Sequence, residues 1–495
     1  MTADQVRSLG PSVRLAVALA AAVWMLAAFG PLVPLAAIIA AALLVVIGAL
    51  AAWHDFAMFI CGAIILRPVL DLLAGPRSTG IGPTDLFGVS VLVACLAWLF
   101  VNRVDLYARL RSRFALSLLA FLVVLTLSAA GAPYLSSSFP VVLRIMAGVA
   151  TYFVLDLMLA RRQMAFWQLV GALGLAYVVP LIYPIVGLVG VPVTHRKDAI
   201  TALKSVFYLS NNFGHFLVPV VVITAAWMIR VRGRPRVVAG LVLLVAGAEL
   251  VATQTRGAWI AVVVGVFGVG LLLSRRFVVA SVIVVVLISL FVPPVQSRIE
   301  NLRPSTAPPR SESSFAWRLG HWSDLVPRTK EQPLLGLGPD EAVRLTGKEP
   351  HNDYVRALAE TGVLGLAAYL WFLVELCVLA GRAVRRRGRP LTGFVRPRTD
   401  TDPGVGPLAS ATVIGLACYA VGIVIASSAE NLIDNLTFLW VAMPCAALLQ
   451  WAAQDRRLDP VGPGTEVDDG DGPPTGPRTS ASPATPDRTD REPVP

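Results

Sequence analysis

The chain has 495 residues, of which 56% are hydrophobic and 15% charged, and its formal net charge is +11. Soluble proteins carry about 25% charged residues, so this composition excludes an ordinary soluble globular protein. Apolar runs of about 20 residues recur along the whole chain and predict an all-α, polytopic integral membrane helical bundle.

The excess of basic residues does not indicate a nucleic-acid partner. Most of the arginines lie in short loops between apolar runs, where basic residues set the topology of membrane proteins. The five cysteines all fall inside apolar runs. We therefore expect small core residues there, with no disulfide framework and no metal site. The first apolar run is expected to remain as a signal anchor, because hydrophobic segments continue directly after it.

A window of about 20 residues identifies about 14 candidate spans in chain order. They lie near residues 12–29, 32–52, 56–73, 84–101, 114–131, 139–160, 164–190, 207–229, 236–253, 257–273, 277–292, 353–380, 408–427 and 433–451. The number of spans could be lower, because segments 12–29 and 32–52 lie very close together in the sequence, as do 236–253 and 257–273. The predicted organisation is a cytoplasmic N-terminus (1–11), eleven spans (12–292), an external loop (293–352), three spans (353–451) and a disordered cytoplasmic tail (452–495).

Basic clusters predict the orientation. They occupy the loops at residues 103–113, 161–162, 230–236, 275–276 and 382–389. All of them face the cytoplasm if both termini are inside, as positive-inside asymmetry requires. This predicts a multi-pass protein of the cytoplasmic (inner) membrane with membrane lipid around it. A basic loop with His195, Arg196, Lys197 and Lys204 would then lie outside, either to contact an anionic lipid or as an exception to the rule.

Polar residues gather near the predicted outer ends of the spans, where an ionisable group is a functional candidate. They are Arg67, Asp71, Arg144, Asn211, Asn212, His215, Glu249, Arg256, Asn431, Asp434 and Asn435. Asp156 and Glu375 lie instead on the inner side. We expect a polar cavity open to the outer leaflet, with interfacial snorkelling as the alternative explanation.

One motif joins the long external loop to an apolar helix. His351-Asn352 is followed, after nine residues, by Gly362-x-x-Gly365. This spacing resembles the signature of the O-antigen ligase and polymerase superfamily. The resemblance extends over roughly residues 205–445 through three more stretches in the family's order. They are Asn211-Asn212-Phe213-Gly214-His215, Thr255-Arg256-Gly257-Ala258-Trp259, and Arg318 to Trp322 followed by Pro333-Leu334-Leu335-Gly336-Leu337-Gly338.

The resemblance implies a GT-C-like membrane glycosyltransferase that needs neither a metal nor another cofactor. Members take a glycan from a polyprenyl diphosphate donor in the outer leaflet and transfer it to an acceptor hydroxyl on a glycan, lipid or protein. Asp400-x-Asp402 and Asp469-x-Asp471 could suggest a metal-dependent enzyme. Both lie in predicted cytoplasmic polar segments, so we interpret them as chance matches and expect arginines to stabilise the diphosphate.

The resemblance also assigns roles to residues. Arg256 and Arg318 match the family's diphosphate-binding arginines, and His351 matches its catalytic base. At a helix N-terminus the dipole would disfavour the imidazolium form, and a single displacement would invert the anomeric centre.

Further residues are candidates for binding or packing. Asn352 would orient the histidine or cap the helix. Gly362 and Gly365 are expected to allow close helix packing. Glu360 would lie about 13 Å further along a continuous helix, too far to orient the base. The remaining candidates for donor or acceptor contacts are Arg144, Asn211, Asn212 and His215, together with Asp71, His195 and Lys197.

Two other functions remain as alternatives. A multi-span transporter or lipid-linked glycan flippase would show internal repeats and polar residues near the membrane midplane, and neither is evident. A peptidoglycan polymerase of the shape and division class also uses a polyprenyl diphosphate donor, but the His-Asn/Gly-x-x-Gly spacing argues against it. Ligases and polymerases share these motifs, so the acceptor stays open.

Overall fold

The computed structural model describes residues 55–73, 83–186, 193–197, 200–293, 295–296, 315–388, 406–433 and 435–454. The predicted spans 12–29 and 32–52 lie outside these ranges. So do the N-terminal segment 1–11, most of the predicted tail, Asp434 and both Asp-x-Asp sequences.

Helices dominate the described part of the chain. The first group is α1 (Phe56–Leu70), α2 (Pro83–Val101), α3 (Arg103–Leu110), α4 (Arg113–Ala130), α5 (Leu135–Ala160) and α6 (Phe166–Val186). A short antiparallel hairpin follows, with strands β1 (Thr194–Lys197) and β2 (Ile200–Leu203). The next four helices are α7 (Ser210–Arg230), α8 (Arg234–Ala252), α9 (Arg256–Leu273) and α10 (Arg275–Phe291).

The C-terminal part contains two short helices and three long ones. They are α11 (Phe315–Leu325), α12 (Glu341–Thr346), α13 (Asp353–Ala383), α14 (Pro407–Ala426) and α15 (Leu436–Ala453). Short turns of 3₁₀-helix occupy Asp71–Leu73 and Val326–Lys330, and a π-turn follows α13 at Val384–Gly388.

The described helices confirm the predicted all-α membrane bundle. Eight of them are long and apolar enough to cross a membrane, and a ninth is added if one bent pair is a single span. The chain is therefore a multi-pass membrane protein. The bent pair, Phe87–Val101 with Arg103–Leu110, turns by 96°. Residues 103–113 were predicted to form a loop, whereas most of them form helix α3.

Small residues bring three membrane helices close together. A Cβ atom at Gly415 of α14 would lie 2.8 Å from the Cα of Ile223 in α7. A Cβ atom at Gly265 of α9 would lie 2.6 Å from a methyl group of Val222. Helices in a membrane gain stability mainly from such close packing, because lipid tails are as apolar as the side chains. The α7–α9–α14 contact fixes the starts of α7 and α9 relative to the end of α14.

Helix α13 is broken at Gly362, where the sequence analysis expected a continuous helix. Gly362 has φ 67° and ψ −166°, a backbone conformation that favours glycine. The backbone of the segment Pro333–Gly338 occupies the break. The N–H of Leu337 donates to the carbonyl of Ala359 at 2.9 Å, and the N–H of Val363 donates to the carbonyl of Pro333 at 2.9 Å. Gly362 thus admits a loop, and the expectation that it serves helix–helix packing is wrong.

Ion pairs attach the same external segment to the bundle. The Arg356 side chain is 2% exposed and lies 3.0 Å from Glu360 and 3.6 Å from Asp340. A buried guanidinium requires such partners, since an unpaired charge is strongly destabilising. Next to it, the Ser138 hydroxyl donates to the carbonyl of Pro339 at 2.7 Å. The segment that precedes His351 is therefore bound to α5 and to both halves of α13.

Candidate active site

The sequence motifs meet around one loop between α14 and α15. We call residues 427–435 the site loop; all of them are described except Asp434. Side chains from α7, α11 and the segment before α13 contact this loop. These elements are distant in sequence, so the contacts depend on the folded bundle.

His351 lies immediately before the N-cap of α13 in a left-handed backbone conformation, with φ 51°. Its side chain is 19% exposed, and its Nδ1 lies 3.7 Å from Oε2 of Glu430. Nδ1 is buried and forms no hydrogen bond within the described residues. The imidazole therefore presents one nitrogen to a carboxylate. The carboxylate of Glu430 and the N-terminus of α13 are therefore the two charged features beside this ring.

Glu430 is the central acidic residue of the site loop. The residue is 6% exposed. Its Oε2 accepts a hydrogen bond from Nδ2 of Asn211 at 3.0 Å. A Cβ atom at Gly257 would lie 2.7 Å from its Cγ, so only a residue without a side chain leaves room for Glu430 there. The carboxylate is thus held between α7, α9 and His351.

The start of α7 supplies three polar side chains. Asn211 bridges the site, because its Oδ1 also accepts from the Thr255 hydroxyl at 3.3 Å. Asn212 accepts a hydrogen bond from Asn435 at 3.0 Å, at the far end of the site loop. His215 is 3% exposed, and its Cε1 would lie 3.4 Å from a Cβ atom at Gly257. All three candidates therefore lie beside the site loop or the start of α9.

Arg256 occupies the first turn of α9, directly before Gly257. The helix begins at this residue and Thr255 is its N-cap. A helix N-terminus carries unpaired N–H groups and a partial positive charge that favours anions. Since Thr255 and Gly257 contact Asn211 and Glu430, the backbone of Arg256 lies at the edge of the same site.

Helix α11 brings Arg318 to the site loop. The Nη1 of Arg318 donates to the carbonyl of Ala429 at 2.8 Å. A guanidinium has five N–H donors, so this bond uses a small part of its capacity. One turn later, the indole of Trp322 donates to the carbonyl of Pro350 at 2.8 Å. Helix α11 therefore fixes both an arginine and the residue before His351.

Asn352 caps α13. Its Oδ1 accepts from the N–H groups of Tyr354 at 2.9 Å and Val355 at 3.1 Å. This geometry corresponds to the capping role, one of the two that the sequence suggested. The segment is held on its other side by Asn431, whose amide donates to Glu349 at 2.9 Å.

Other polar residues chosen from the sequence do not join the site loop through described contacts. Arg144 lies half-buried in α5, and its guanidinium forms no hydrogen bond or ion pair with the residues that the structure describes. Arg67 and Asp71 form a buried ion pair with each other at 2.6 Å. Glu249 is buried at the end of α8. Only part of the predicted polar set therefore gathers around the site loop.

Glu430 was not among the residues predicted from the sequence. Asn431, Asp434 and Asn435 were predicted at the start of the last span, but the acid beside them was not. A usable signal was present, since an ionisable residue next to an apolar run is by default a functional candidate. What the sequence could not show is that this acid lies against His351 and Asn211.

The arrangement combines three chemical elements. An imidazole adjacent to a carboxylate can accept a proton and stabilise the resulting positive charge. Arg318 and the α9 N-terminus with Arg256 offer positive groups that suit a phosphate or diphosphate. Such a set can move a proton at one point and stabilise a leaving anion close by.

Residues 239–370 match the family model described as O-antigen ligase. This stretch contains Arg256, Arg318, His351 and Asn352, while Asn211 and Glu430 lie outside it. No curated protein gives a significant match to the chain. The family match supports a membrane glycan-transfer function in general.

Proposed function

We propose that this chain, whose residues 239–370 match the O-antigen ligase family model, belongs to the O-antigen ligase and polymerase superfamily and transfers a glycan from a polyprenyl diphosphate donor to an acceptor hydroxyl. The reaction takes place at the outer face of the cytoplasmic membrane. It is metal-independent and inverts the anomeric carbon. The observation that carries the proposal is the 3.7 Å approach of His351 to Glu430 where the motifs meet.

His351 acts as the general base. Its Nδ1 faces Glu430, so Nε2 is the nitrogen that takes the proton from the acceptor hydroxyl. The separation of 3.7 Å is longer than a hydrogen bond, and catalytic hydrogen bonds often shorten when substrate binds. Glu430 selects the tautomer with the proton on Nδ1 and then stabilises the imidazolium. It is a positioning residue, since it acts through His351.

The reaction is a single displacement. The acceptor oxygen forms a bond to the anomeric carbon while the bond from that carbon to the diphosphate oxygen breaks. The acceptor proton goes to His351, and the electron pair leaves with the polyprenyl diphosphate. Attack from the face opposite the leaving group inverts the configuration.

Two arginines stabilise the leaving diphosphate. Arg318 keeps N–H donors beyond the one used on Ala429. Arg256 adds its charge to that of the α9 N-terminus. A preorganised positive site of this kind stabilises the charge that develops as the glycosidic bond breaks. Arg144 lacks a described partner and is a further candidate contact for the donor.

The remaining candidates support the site. Asn211 holds Glu430, and Asn352 caps the helix behind His351. Asn212 lies at the start of α7 as a candidate contact for a bound glycan, and the buried His215 packs behind it against the start of α9. These contacts orient a substrate without taking part in proton transfer.

A test of the function uses the purified protein in liposomes with a polyprenyl diphosphate-linked glycan and an acceptor. Transfer is expected to continue in excess chelator and to yield an inverted anomeric configuration, read by NMR of the product. A strict requirement for a divalent cation, or retention of configuration, would contradict the proposal.

The acceptor is tested in cells by glycan analysis of a deletion strain. Loss of a ligase leads to accumulation of the lipid-linked polymer, since the polymer is made but not transferred. Loss of a polymerase leads to lipid-linked single repeat units. An unchanged set of lipid-linked and envelope glycans would argue against both activities.

A further inference from the structure

Asp353 holds the site loop to the start of α13. The residue is fully buried at 0% exposure. The N–H of Leu432 lies 3.0 Å from both of its carboxylate oxygens, and the N–H of Ile433 donates to Oδ1 at 3.2 Å. On its other side, the N–H of Asp353 donates to the carbonyl of Ser427 at 2.7 Å. One residue therefore fixes both ends of the segment that contains Glu430.

Two tyrosines of α13 extend this connection. The hydroxyl of Tyr369 lies 3.2 Å from Oδ2 of Asp353 and 2.9 Å from the hydroxyl of Ser427. The hydroxyl of Tyr354 donates to the carbonyl of Val424 at 2.6 Å, at the end of α14. Hydrogen bonds from N–H groups to a carboxylate are among the strong ones, and a buried site strengthens them further.

We propose that Asp353 is a positioning residue that sets the separation between His351 and Glu430. The inference rests on the proposed function, because it assigns Glu430 the role of orienting the base. His351 lies two residues before Asp353, and Glu430 lies two residues before Leu432, which Asp353 binds. A shift of the loop backbone therefore changes the His351–Glu430 distance directly. Productive geometry tolerates shifts of only about 0.5 Å.

Asp353→Asn tests the anchor with little change in volume. An asparagine side chain has one acceptor oxygen, and its amide nitrogen is a donor that cannot accept from a backbone N–H. Leu432 loses its second acceptor, Oδ2, and both N–H groups then depend on one oxygen that carries no negative charge. We expect their amide hydrogens to exchange roughly 10- to 100-fold faster than in the wild type. The measurement is hydrogen exchange on the full chain in lipid nanodiscs, resolved to single residues by mass spectrometry.

Asp324→Asn is the matched control. Asp324 is exposed on α11, so its amide variant removes the same charge without touching the loop. It should leave exchange at Leu432 and Ile433 at the wild-type rate. Wild-type exchange of these two amides in Asp353→Asn would overturn the inference, whatever the activity of the variant.

Activity then separates positioning from a general loss of structure. Asp353→Asn should lower kcat by about 10- to 100-fold per folded molecule and change the donor KM by a smaller factor, because both arginines keep their charge even though Arg318 bonds to Ala429 of the loop. The double variant Asp353→Asn/Glu430→Gln should be no less active than Glu430→Gln alone. Independent, multiplicative losses would show that Asp353 acts elsewhere and would overturn the inference.

Tyr369→Phe gives a second test if Asp353→Asn does not fold. It removes the hydroxyl between Asp353 and Ser427 but leaves the backbone bonds, so exchange in the site loop should rise by about fivefold. Unchanged exchange and unchanged kcat in this variant would contradict the inference. Full activity in His351→Ala would instead refute the proposed function, and the exchange data would still decide whether Asp353 holds the loop.

Discussion

The two ends of the helical bundle both bury polar side chains, but they differ in what these side chains contact. At one end, opposite charges pair with each other. Asp156 lies 3.9 Å from Arg109, and Arg161 binds both Asp105 and Asn102. These contacts fasten α3 to the end of α5, and the charges neutralise one another. We call this the Asp156 end.

The other end, which we call the His351 end, also contains buried ion pairs such as Arg356 with Glu360, but two groups of the candidate site there can still bind a ligand. Nδ1 of His351 forms no hydrogen bond within the described residues, and Arg318 donates to a neutral carbonyl. Glu430 contacts a histidine and an amide. Paired charges stabilise a structure, whereas charges that remain able to bind are suited to a substrate. The comparison predicts that variants at the His351 end lower activity and that variants at the Asp156 end do not.

The largest effect is expected from His351→Ala. Removing a general base lowers the transfer rate by about 10²- to 10⁴-fold. The measurement is glycan transfer in proteoliposomes, normalised to folded protein from size-exclusion chromatography. Asp156→Asn at the Asp156 end is the control and should keep the wild-type rate per folded molecule. Equal losses in both variants would remove the distinction between the two ends.

The next effect is expected from Arg256→Ala and Arg318→Ala. Each removes a group that stabilises the developing diphosphate charge, and each should lower kcat by about 10²- to 10³-fold. Lysine at either position should restore part of the rate, because the charge remains but the planar donor geometry is lost. The same transfer assay measures this, and wild-type rates in both alanine variants would contradict the diphosphate role.

Glu430→Gln should have an intermediate effect. Glutamine can still accept the hydrogen bond from Asn211, but it has no charge to stabilise the imidazolium. We expect a decrease of roughly 10- to 100-fold, smaller than the loss of the base itself. Glu331→Gln, an exposed residue of the external segment, is the matched control. An active Glu430→Gln variant would mean that His351 works without its carboxylate partner.

Gly362→Ala should destabilise the His351 end. A Cβ atom there would collide with the backbone carbonyl of Leu334. The positive φ adds about 1–3 kcal/mol. We expect a lower thermal midpoint and faster proteolysis at residues 333–338. Gly320→Ala is the control, because a Cβ atom there meets nothing within 4 Å and alanine favours a helix. Equal stability of the two variants would contradict the role of the break.

The smallest effect is expected from Arg161→Ala at the Asp156 end. Its partner Asp105 has a side chain that is 51% exposed, so solvent screens the ion pair. Exposed pairs contribute about 0–1 kcal/mol to the free energy of unfolding. The thermal midpoint should change little and transfer should continue at the wild-type rate. A strong loss of transfer would show that α3 influences the site from the opposite end.

Hydropathy predicted the helices well because it reports which segments partition into lipid. The predicted span 207–229 corresponds to Ser210–Arg230, and 139–160 corresponds to Leu135–Ala160. The break at Gly362 was not predictable in this way. The apolar pattern continues through it, and its cause is a backbone segment that lies far outside the pattern. Helix α3 was missed because its arginines indicated a loop.

The sequence predicted those residues of the candidate site that belong to recognisable motifs. Arg256, Arg318 and His351 were identified from the family spacing, and Asn211 from a polar pair at the start of a span. Glu430 belongs to no motif that we identified, and its contact with Asn211 joins residues 219 positions apart. Such contacts arise from the packing of α7, α9 and α14, which no local pattern in the sequence encodes.

The insertion of Pro333–Gly338 into the break of α13 limits which segments can be exchanged between related proteins, by engineering or in evolution. The external segment and the helix after it share backbone hydrogen bonds, so neither can be exchanged between relatives as a separate module. A chimera that changes acceptor preference by replacing the external segment must carry residues 333–383 as one block. A chimera joined between Gly338 and His351 would take the external segment and the helix that it bonds to from two different proteins.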